Sequence, residues 1–330
     1  MQLGLTFMAV DPPETFVEMV RYAEANGYDY MWVCDSSLHA RYVYCYLTLL
    51  AANSKKLRFG PNCTHPHTRH PALNYNALCT LDEISGGRAL MNLGAGDRPV
   101  MELGLKIARL RTVREMVEIG RRLLKGETLD FEGESFSLHE AKICYAPREN
   151  LPIYLTVTNR RMCELAGELA DGVLLACGSA VENLKFALDC VKRGAERAGR
   201  SMEEIDVACL LYTSVRDSLG EAREDTRIIA SWFPQSAPKY VEISGFGSDL
   251  TEKVKAAYSG GHFHEAVESA KLLPEEFIDK FTLSGPPEYC VDKIKELKGL
   301  GLSHFEIFPV GEDRRLTARR FAEEVRPHIG

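Results

Sequence analysis

Eight short apolar segments, each followed by an amphipathic helical segment, are the feature that most constrains the fold of this chain. The segments are apolar throughout, which is typical of parallel strands covered on both faces. A closed α/β barrel of eight β/α units is the most economical arrangement, and a doubly wound open sheet is the structural alternative. The predicted strands are Leu3–Met8, Tyr28–Asp35, Leu57–Cys63, Arg88–Asp97, Ile153–Val157, Gly172–Ala176, Asp206–Tyr212 and His304–Pro309.

The chain is predicted to form a single (β/α)8 TIM-barrel domain over residues 1–330, with a helical insertion before the last strand. Between about Pro234 and Phe281 the alternation stops, and the glycine-containing segments SGFGSD and YSGGH separate short helical stretches. A smaller insertion is expected after the fourth unit, where the EGES centre of LDFEGESFSL predicts a β-hairpin.

Composition narrows the function classes. The net charge of −7 argues against broad nucleic-acid binding, which needs a basic surface. No segment approaches the roughly 18 apolar residues of a membrane helix, and the N-terminus lacks a positively charged leader. The ten cysteines are scattered and form no CxxC pair, which favours reduced thiols in the cytoplasm.

The carboxyl ends of the predicted strands are where a barrel of this kind places its active site. Three of these ends, LGAGD, TVTN and LACGS, are rich in small or polar residues. Small residues let backbone amides approach a ligand, and amides at a following helix N-terminus favour an anion such as phosphate. The alternative is that the glycines only permit tight turns, and the residues alone leave both interpretations open.

Two acids, Asp35 and Asp97, end the second and fourth predicted strands. At the barrel mouth each could orient a ring N–H or exchange a proton. Each could equally be the N-cap of the next helix, which is the more common role of an aspartate at such a position.

The stretch FGPNCTHPHTRHP holds three histidines, His65, His67 and His70. A metal site needs three or four converging ligands, but this stretch has no helical i, i+4 pair, no HExxH motif and no carboxylate. We therefore expect no metal here, and predict loop histidines that are solvated or hydrogen-bonded.

The segment LRFGPNCTHPHTRHPALNYNALCTLDEISGGRALMNLGAGD resembles the third and fourth strands of the bacterial luciferase-like flavin and deazaflavin oxidoreductases. Within that group it is most similar to the methylenetetrahydromethanopterin reductases, which use coenzyme F420. The pieces ANGYDYMWVCD, PIYL, LAGELADGVLL and LSGPPEYCVDKIKELKGLG extend the resemblance over nearly the whole chain. The resemblance implies a luciferase-like TIM barrel.

The resemblance also implies a set of site residues. In this family the third strand ends in a bulge with a non-prolyl cis peptide that supports the flavin ring, and here that bond falls between Asn62 and Cys63. The acid that contacts the deazaflavin corresponds to Asp35, and Ser36 follows it. The acid implicated in proton handling or substrate contact corresponds to Asp97.

Two further loops of the family hold the phosphate and lactyl tail of the cofactor. They correspond to Thr158–Asn159 and to Ala176–Cys177, with Gly178 adjoining. The resemblance also implies a division of roles. The bound cofactor carries the hydride, and the barrel positions the reactants and supplies the electrostatic environment.

The chain departs from the family pattern at several positions. Ser36 stands where the family often has histidine, and the nearby His39 could substitute for it. Thr6 stands at the first-strand position where, by the resemblance, the methylene-pterin reductases have a glutamate. Arg160 and Arg161 follow the fifth strand, where they could neutralise a phosphate or a glutamyl tail, or form a solvated helix face.

Three functions remain after this reading. The first is a coenzyme F420-dependent oxidoreductase that moves a hydride between the deazaflavin and a C=N or C=O carbon of a small-molecule substrate. The second is an FMN-dependent monooxygenase or reductase of the same superfamily. The third, of a different class, is a cofactor-less barrel that serves as a binding scaffold.

The resemblance further implies a homodimer or higher homo-oligomer. The helices after the second and third strands are the candidate interface, because the segment Tyr42–Asn53 is unusually apolar and aromatic for the outer ring of a barrel. Ordinary packing of this helix against the barrel is the alternative.

Overall fold

The computed structural model describes residues 1–258 and 266–330, and its centre is a barrel of parallel strands. Each predicted strand is present, although β2, β3 and β4 are shorter than predicted at both ends and β9 extends further, to Val215. The strands are β1 (Gln2–Met8), β2 (Tyr30–Cys34), β3 (Arg58–Pro61), β4 (Met91–Leu93), β5 (Leu129–Glu132), β6 (Ser137–Ala141), β7 (Ile153–Val157), β8 (Gly172–Leu175), β9 (Asp206–Val215), β10 (Leu283–Gly285) and β11 (His304–Pro309).

The order of the strands around the barrel is β3-β2-β1-β11-β9-β8-β7-β4, and every pairing along this path is parallel. In the described chain, β3 and β4 meet through two isolated bridges, Phe59 with Ala89 and Thr64 with Leu93. These bridges close the sheet on itself, which confirms the predicted (β/α)8 barrel and excludes the open sheet.

Helices surround the barrel and occupy the segment before its last strand. They are α1 (Pro13–Ala25), α2 (Val43–Asn53), α3 (Pro71–Ser85), α4 (Arg98–Met101), α5 (Leu110–Leu124), α6 (Arg160–Leu169), α7 (Val181–Arg197), α8 (Leu219–Ala230), α9 (Trp232–Ser236), α10 (Pro238–Ile243), α11 (Ser248–Ala257), α12 (Val267–Ala270), α13 (Glu275–Phe281), α14 (Pro287–Lys298) and α15 (Arg314–Arg320). Among the described residues, none of the helices is long and apolar enough to cross a membrane.

Strand β1 illustrates how the two faces of the barrel wall differ. Leu3, Leu5 and Phe7 are buried in the apolar shell that also contains residues of the outer helices. Gly4 and Thr6, at the alternate positions, face the barrel interior, where they approach side chains from other strands. This period-2 alternation places polar groups inside a wall whose outer face is apolar.

Helix α2 owes its apolar sequence largely to packing within its own chain. Six of its residues are buried there, and they are Val43, Tyr44, Tyr46, Leu47, Leu50 and Ala51. Tyr42 before the helix stays 54% exposed, and Leu73 at the start of α3 is 65% exposed. The homo-oligomer stays a prediction, and the part of α2 that an interface could use is its exposed face at Cys45, Thr48 and Ala52.

The two insertions differ in structure. Strands β5 and β6 pair antiparallel, which confirms the predicted hairpin. In the described part of residues 234–281 the chain is helical, and Tyr240 and Phe277 of this insertion are buried in the same core as the barrel residues. Residues 259–265, which include most of the YSGGH segment, lie outside the described residues. Directly after the insertion, β10 pairs with the end of β9, and the sequence pattern did not predict this strand.

Candidate active site

Four polar side chains from four strands form a hydrogen-bonded network inside the barrel, near its mouth. The Asn62 amide donates to Thr6 Oγ1 at 3.2 Å, and the Asn92 amide donates to Asn62 Oδ1 at 3.2 Å. Thr156 Oγ1 donates to Asn92 Oδ1 at 2.9 Å. Each of these side chains bonds to a residue from a different strand or strand end. The network therefore fixes the side chain of Asn62 and the position of the chain around it.

The chain directly after β3 forms a bulge, and the peptide bond between Asn62 and Cys63 is cis. This confirms the predicted position of the cis bond. Thr64 N donates to Asn92 O at 3.0 Å, and Gly94 N donates to Thr64 O at 3.0 Å. A Cβ at Gly94 would come within 2.2 Å of Cys63 Sγ, so this glycine is required by the close approach of the thiol. The bulge and the turn after β4 therefore pack as one unit.

Cys63 does not act as a thiolate at neutral pH. Desolvation, and then the nearby carboxylate of Asp97, raise the pKa of the Cys63 thiol to about 12. The thiol therefore stays protonated and serves as a small, weakly polar group under the Asp97 turn.

Asp35 is buried and its carboxylate is already engaged by the chain. Arg69 donates from Nη1 to Oδ2 at 2.5 Å and from Nη2 to Oδ1 at 3.1 Å, and Thr64 Oγ1 donates to Oδ2 at 2.8 Å. The guanidinium also lies over the rings of Tyr42 and Tyr44, 4.7 Å and 5.1 Å from their centroids. Although burial favours the neutral form, the hydrogen bond to Asp35 raises the pKa of Arg69. Asp35 is thus held by a bidentate ion pair, and does not cap a helix.

Ser36 is half-buried beside Asp35, and the loop after it turns toward α4. The Nε2 atom of His39 is paired with the Glu102 carboxylate and lies 3.3 Å from Nη2 of Arg98, which itself pairs with Glu102. His39 is therefore bound to the α4 segment across the mouth, and does not take the place of a histidine at position 36.

Asp97 lies at the N-cap position of α4, but in the described chain its side chain makes no capping hydrogen bond. The carboxylate instead accepts a hydrogen bond at Oδ2 from the Trp232 indole, at 3.3 Å. Trp232 begins α9, so the first element of the helical insertion contacts the acid at the mouth. The half-buried carboxylate fits a role in binding or proton exchange better than the capping role.

Aromatic side chains form one wall of the mouth. The ring of Tyr212, in the second half of β9, lies 5.1 Å from Phe308, 6.0 Å from Phe233 and 6.4 Å from Trp232, measured between centroids. Trp232 and Phe233 begin α9, the helix that leads into the insertion, whereas Tyr212 and Phe308 come from barrel strands. The start of α9 therefore forms part of the site wall.

The predicted tail-binding loops lie at the starts of α6 and α7. Asn159 is exposed and caps α6 by accepting from Met162 N at 3.1 Å, while Thr158 before it is half-buried. Ala176 and Cys177 are buried, so only their backbone could reach a ligand. Gly178 has φ +85°, and a Cβ there would lie 2.9 Å from the Phe281 ring.

The glycine at 178 is therefore explained by the packing of α13, and needs no ligand. On the neighbouring helix, Arg160 is exposed and pairs with Glu164 at 3.1 Å, which favours a solvated helix face for this arginine. The loops still present the amide ends of a 10-residue and a 17-residue helix, which attract anions.

The three loop histidines do not converge on one point. His65 is buried, with Nε2 3.2 Å from the Asp35 carbonyl oxygen. His67 and His70 lie near the ring of Phe136, with centroids 6.5 Å and 6.1 Å away. Within residues 1–258 and 266–330, no group of three or more histidine, cysteine or acidic side chains has the arrangement of a metal site.

Sequence reasoning missed Arg69 and Trp232 as site residues. Arg69 lies in the RHPA piece that carries the family resemblance, but its partner Asp35 is 34 residues away. Trp232 is 135 residues from Asp97. One of only two tryptophans, at the start of the insertion, was the available signal for Trp232.

Comparison with known proteins identifies the family. The family model described as luciferase-like monooxygenase matches residues 2–304. The 5,10-methylenetetrahydromethanopterin reductase of Archaeoglobus fulgidus is 32% identical, with all of both chains covered. The F420-dependent glucose-6-phosphate dehydrogenase of Amycolatopsis mediterranei is 26% identical over 96% of this chain and 95% of the relative.

Among solved structures, the coenzyme F420-dependent tetrahydromethanopterin reductase of Methanopyrus kandleri superposes with a TM-score of 0.89 at 29% identity. The superposition covers 100% of this chain and 99% of the other. The fold and the sequence match thus extend over the full length of both chains. The chain belongs to the luciferase-like monooxygenase family.

Proposed function

We propose that this chain is a coenzyme F420-dependent oxidoreductase that transfers a hydride between the deazaflavin and a C=N or C=O carbon. The observation that carries the proposal is the bulge at Asn62–Cys63, packed at Gly94 against the turn that presents the Asp97 carboxylate. Full-length relatives that are F420-dependent by name support the choice of cofactor.

The residues of the mouth fit a planar deazaflavin with an anionic tail. The bulge and the amide of Asn62, fixed by its neighbours, would support the ring, and Asp35 and Ser36 lie beside the bulge. The loops Thr158–Asn159 and Ala176–Gly178, which lead into α6 and α7, would hold the phosphate and lactyl tail, with the helix N-termini favouring the anion. Since Cys177 is buried, its backbone rather than its thiol would make the contact.

When bound, the deazaflavin supplies or accepts the hydride, and the chain does the rest. Asp97, held at Oδ2 by the Trp232 indole, stabilises positive charge on a C=N substrate or exchanges the proton that accompanies reduction. The aromatic wall of Tyr212, Trp232 and Phe308 excludes water from the reacting carbon.

Within this class, we propose methylenetetrahydromethanopterin as the substrate. The support is the full-length similarity to reductases of that name, at 30% and 32% identity. Thr6, which occupies the position of a first-strand glutamate in the resembling enzymes, accepts a hydrogen bond from Asn62 and so supports the bulge. In this proposal Asp97 is the acid that remains near the reacting carbon.

The test is a fluorescence titration of the purified protein with oxidised F420, beside a parallel titration with FMN. Saturable binding of F420 alone is the expected result. An activity assay then follows the oxidation or reduction of F420 with methylenetetrahydromethanopterin. A secondary alcohol and glucose 6-phosphate serve as comparison substrates. Binding of FMN alone would move the chain to the flavin-dependent branch. Binding of neither cofactor would overturn the proposal in favour of a cofactor-less scaffold.

A further inference from the structure

His65 is a buried histidine at the mouth whose two ring nitrogens have different surroundings. Its side chain is 4% exposed, and Nε2 lies 3.2 Å from the backbone carbonyl oxygen of Asp35. A carbonyl oxygen can only accept, so Nε2 carries the proton and donates this hydrogen bond. Nδ1 is therefore left with a lone pair.

The Nδ1 atom of His65 has no hydrogen-bond partner among the residues that the structure describes, although it is fully buried. It lies against the turn that leads to Asp97, since a Cβ built on Gly96 would be 3.7 Å from it. Gly96 adopts φ +90°, a conformation that favours glycine. A buried acceptor without a donor is costly unless the site uses it.

The His65 imidazole thus lies between the two loops that carry the acids of the mouth. On one side Nε2 bonds to the backbone of Asp35, and on the other Nδ1 lies near Gly96 of the Gly94–Asp97 turn, which is itself tied to the bulge by the hydrogen bond from Gly94 N to Thr64 O at 3.0 Å.

We infer that His65 is a positioning residue for Asp97, with the Nδ1 lone pair accepting a hydrogen bond from an N–H or O–H donor at the Asp97 turn when the site is loaded. The inference rests on the proposed function, because it assigns Asp97 to the reaction. His65 touches neither substrate nor cofactor in this scheme and acts through the turn.

The charge state required by this role agrees with the surroundings of His65. Burial lowers the pKa of the imidazole, the carboxylates of Asp35 and Asp97 oppose that change, and the Arg69 guanidinium adds to it. The ring is therefore neutral at pH 7. Because the folded state disfavours protonation, acid would add a proton at Nδ1 and abolish the acceptor, so kcat should fall on the acid side of the pH profile.

Two substitutions separate the two nitrogens. In His65→Gln the side-chain amide can reach the position of Nε2 and keep the bond to Asp35, but no acceptor remains at Nδ1. In His65→Asn the amide oxygen can occupy the position of Nδ1, but the bond to Asp35 is lost. His67→Gln, in the same loop but beside Phe136, is the matched control.

We expect His65→Gln to bind F420 as the wild type does, with kcat reduced about 100-fold by misplacement of the acid. His65→Asn should retain about tenfold more activity than the Gln variant, and the part of the acid limb that comes from protonation of His65 should disappear. The opposite order, Gln active and Asn inactive, would show that His65 only tethers Asp35 and would overturn the inference. Equal activity of all three variants would overturn it as well.

A readout independent of activity is the ¹⁵N spectrum of histidine-labelled protein without cofactor. The expected result is a neutral Nε2–H tautomer for His65 at pH 7 and above, with the Nδ1 signal shifting when F420 and substrate are added. An Nδ1–H tautomer would contradict the inference. Failure of the wild type to bind F420 would instead overturn the proposed function, while the tautomer measurement would still stand.

Discussion

The floor and the mouth of the barrel each place one buried histidine near two acids, but the two arrangements have opposite electrostatic outcomes. At the floor, His304 Nδ1 lies 3.2 Å from Asp206 Oδ1, and Nε2 lies at ion-pair distance, 3.0 Å, from Glu306 Oε1. At the mouth, His65 faces a backbone carbonyl and the Asp97 turn. The residue types are similar, and only the orientation of the partners differs.

That difference sets the charge of each histidine. Burial lowers the pKa of His304, but the hydrogen bond to Asp206 and then the Glu306 carboxylate outweigh it. The pKa of His304 is raised to about 9 from its ordinary value of 6.5. The ring is also stacked on Tyr30, with centroids 4.4 Å apart. At the mouth, burial dominates and the pKa of His65 is lowered. Proximity of acids to a histidine therefore does not decide its charge, and the direction of the ring nitrogens does.

The floor and the mouth of the barrel also differ in how their polar groups are paired. At the floor, Asp206 accepts from Tyr154 Oη at 2.5 Å and pairs with His304, and the fully buried Glu306 carboxylate lies at ion-pair distance from the same ring without an aligned hydrogen bond. The mouth leaves a carboxylate half-buried and an imidazole nitrogen without a partner among the described residues. In barrels of this kind the first arrangement is associated with stability and the second with function.

The largest effect is expected from Asp97→Asn, which tests the functional side of the comparison. Removing the carboxylate while keeping its shape should lower kcat about 100- to 10,000-fold, with F420 binding unchanged, since Asp97 acts on the proton or the cationic substrate. Stopped-flow measurement of F420 absorbance at saturating cofactor checks this. Glu118→Gln on α5, away from the mouth, is the control, and a wild-type rate in Asp97→Asn would remove Asp97 from the mechanism.

The next effect is expected at the floor, where Gly4 faces Glu306. A Cβ at this position would lie 1.8 Å from Glu306 Oε2, and the carboxylate is fully buried. Gly4→Ala should therefore lower the free energy of unfolding by about 1–3 kcal/mol or more, which urea denaturation measures.

The control for Gly4→Ala is Gly220→Ala in α8, where a Cβ would meet nothing within 4 Å. This variant should be stabilised by about 0.4–1 kcal/mol, because it restricts the unfolded chain and fits a helix. If Gly4→Ala were as stable as Gly220→Ala, the floor would be less tightly packed than the structure indicates.

The pH dependence of stability sharpens the comparison between the two histidines. The pKa of His304 is raised in the folded state, so its stabilisation is fully present below about pH 6.5 and is lost as pH rises to about 9. We expect a loss on the order of 1–3 kcal/mol over that window in the wild type. In His304→Gln this alkaline loss should disappear, as thermal unfolding at a series of pH values would reveal. A wild type with constant stability across the window would exclude a charged His304.

The smallest effect is expected from Arg69→Lys at the mouth. Lysine keeps the charge but cannot donate bidentately to Asp35 or stack in the same way on Tyr42 and Tyr44, so about 1–2 kcal/mol of stability should be lost. The exposed pair of Arg160 and Glu164 provides the control, and Arg160→Lys should change unfolding by less than about 0.5 kcal/mol. Equal effects of the two substitutions would mean that the Asp35 pair behaves as a surface pair.

The sequence predicted the barrel well because its signals are local. Each strand is a short apolar run bounded by turn residues. The hairpin at Leu129–Ala141 is predicted by the turn residues EGES at its centre. The cis bond at Asn62–Cys63 was predicted only through family resemblance, since no propensity rule places a non-prolyl cis bond.

The contacts that define the site are long-range, and local patterns do not contain them. Asp35 pairs with Arg69 across 34 residues, and Asp97 accepts from Trp232 across 135. The floor cluster joins Asp206 to a histidine 98 residues away. Such partners become neighbours only when the barrel closes, which is why the acids could be named from sequence but their partners could not.

The closure of the barrel between β3 and β4 has a consequence for how the molecule can move. In the described chain, β1 and β2 pair in register at five positions, whereas β3 and β4 meet at two bridges separated by the bulge. Four backbone hydrogen bonds cross this seam, two at each bridge, so the pairing is interrupted at the bulge and we expect local opening of the wall to begin there. The cis bulge and the Asp97 turn flank it directly. The wall can therefore widen at the site while the other strands remain paired, so that a rigid scaffold and an adjustable mouth coexist in one sheet.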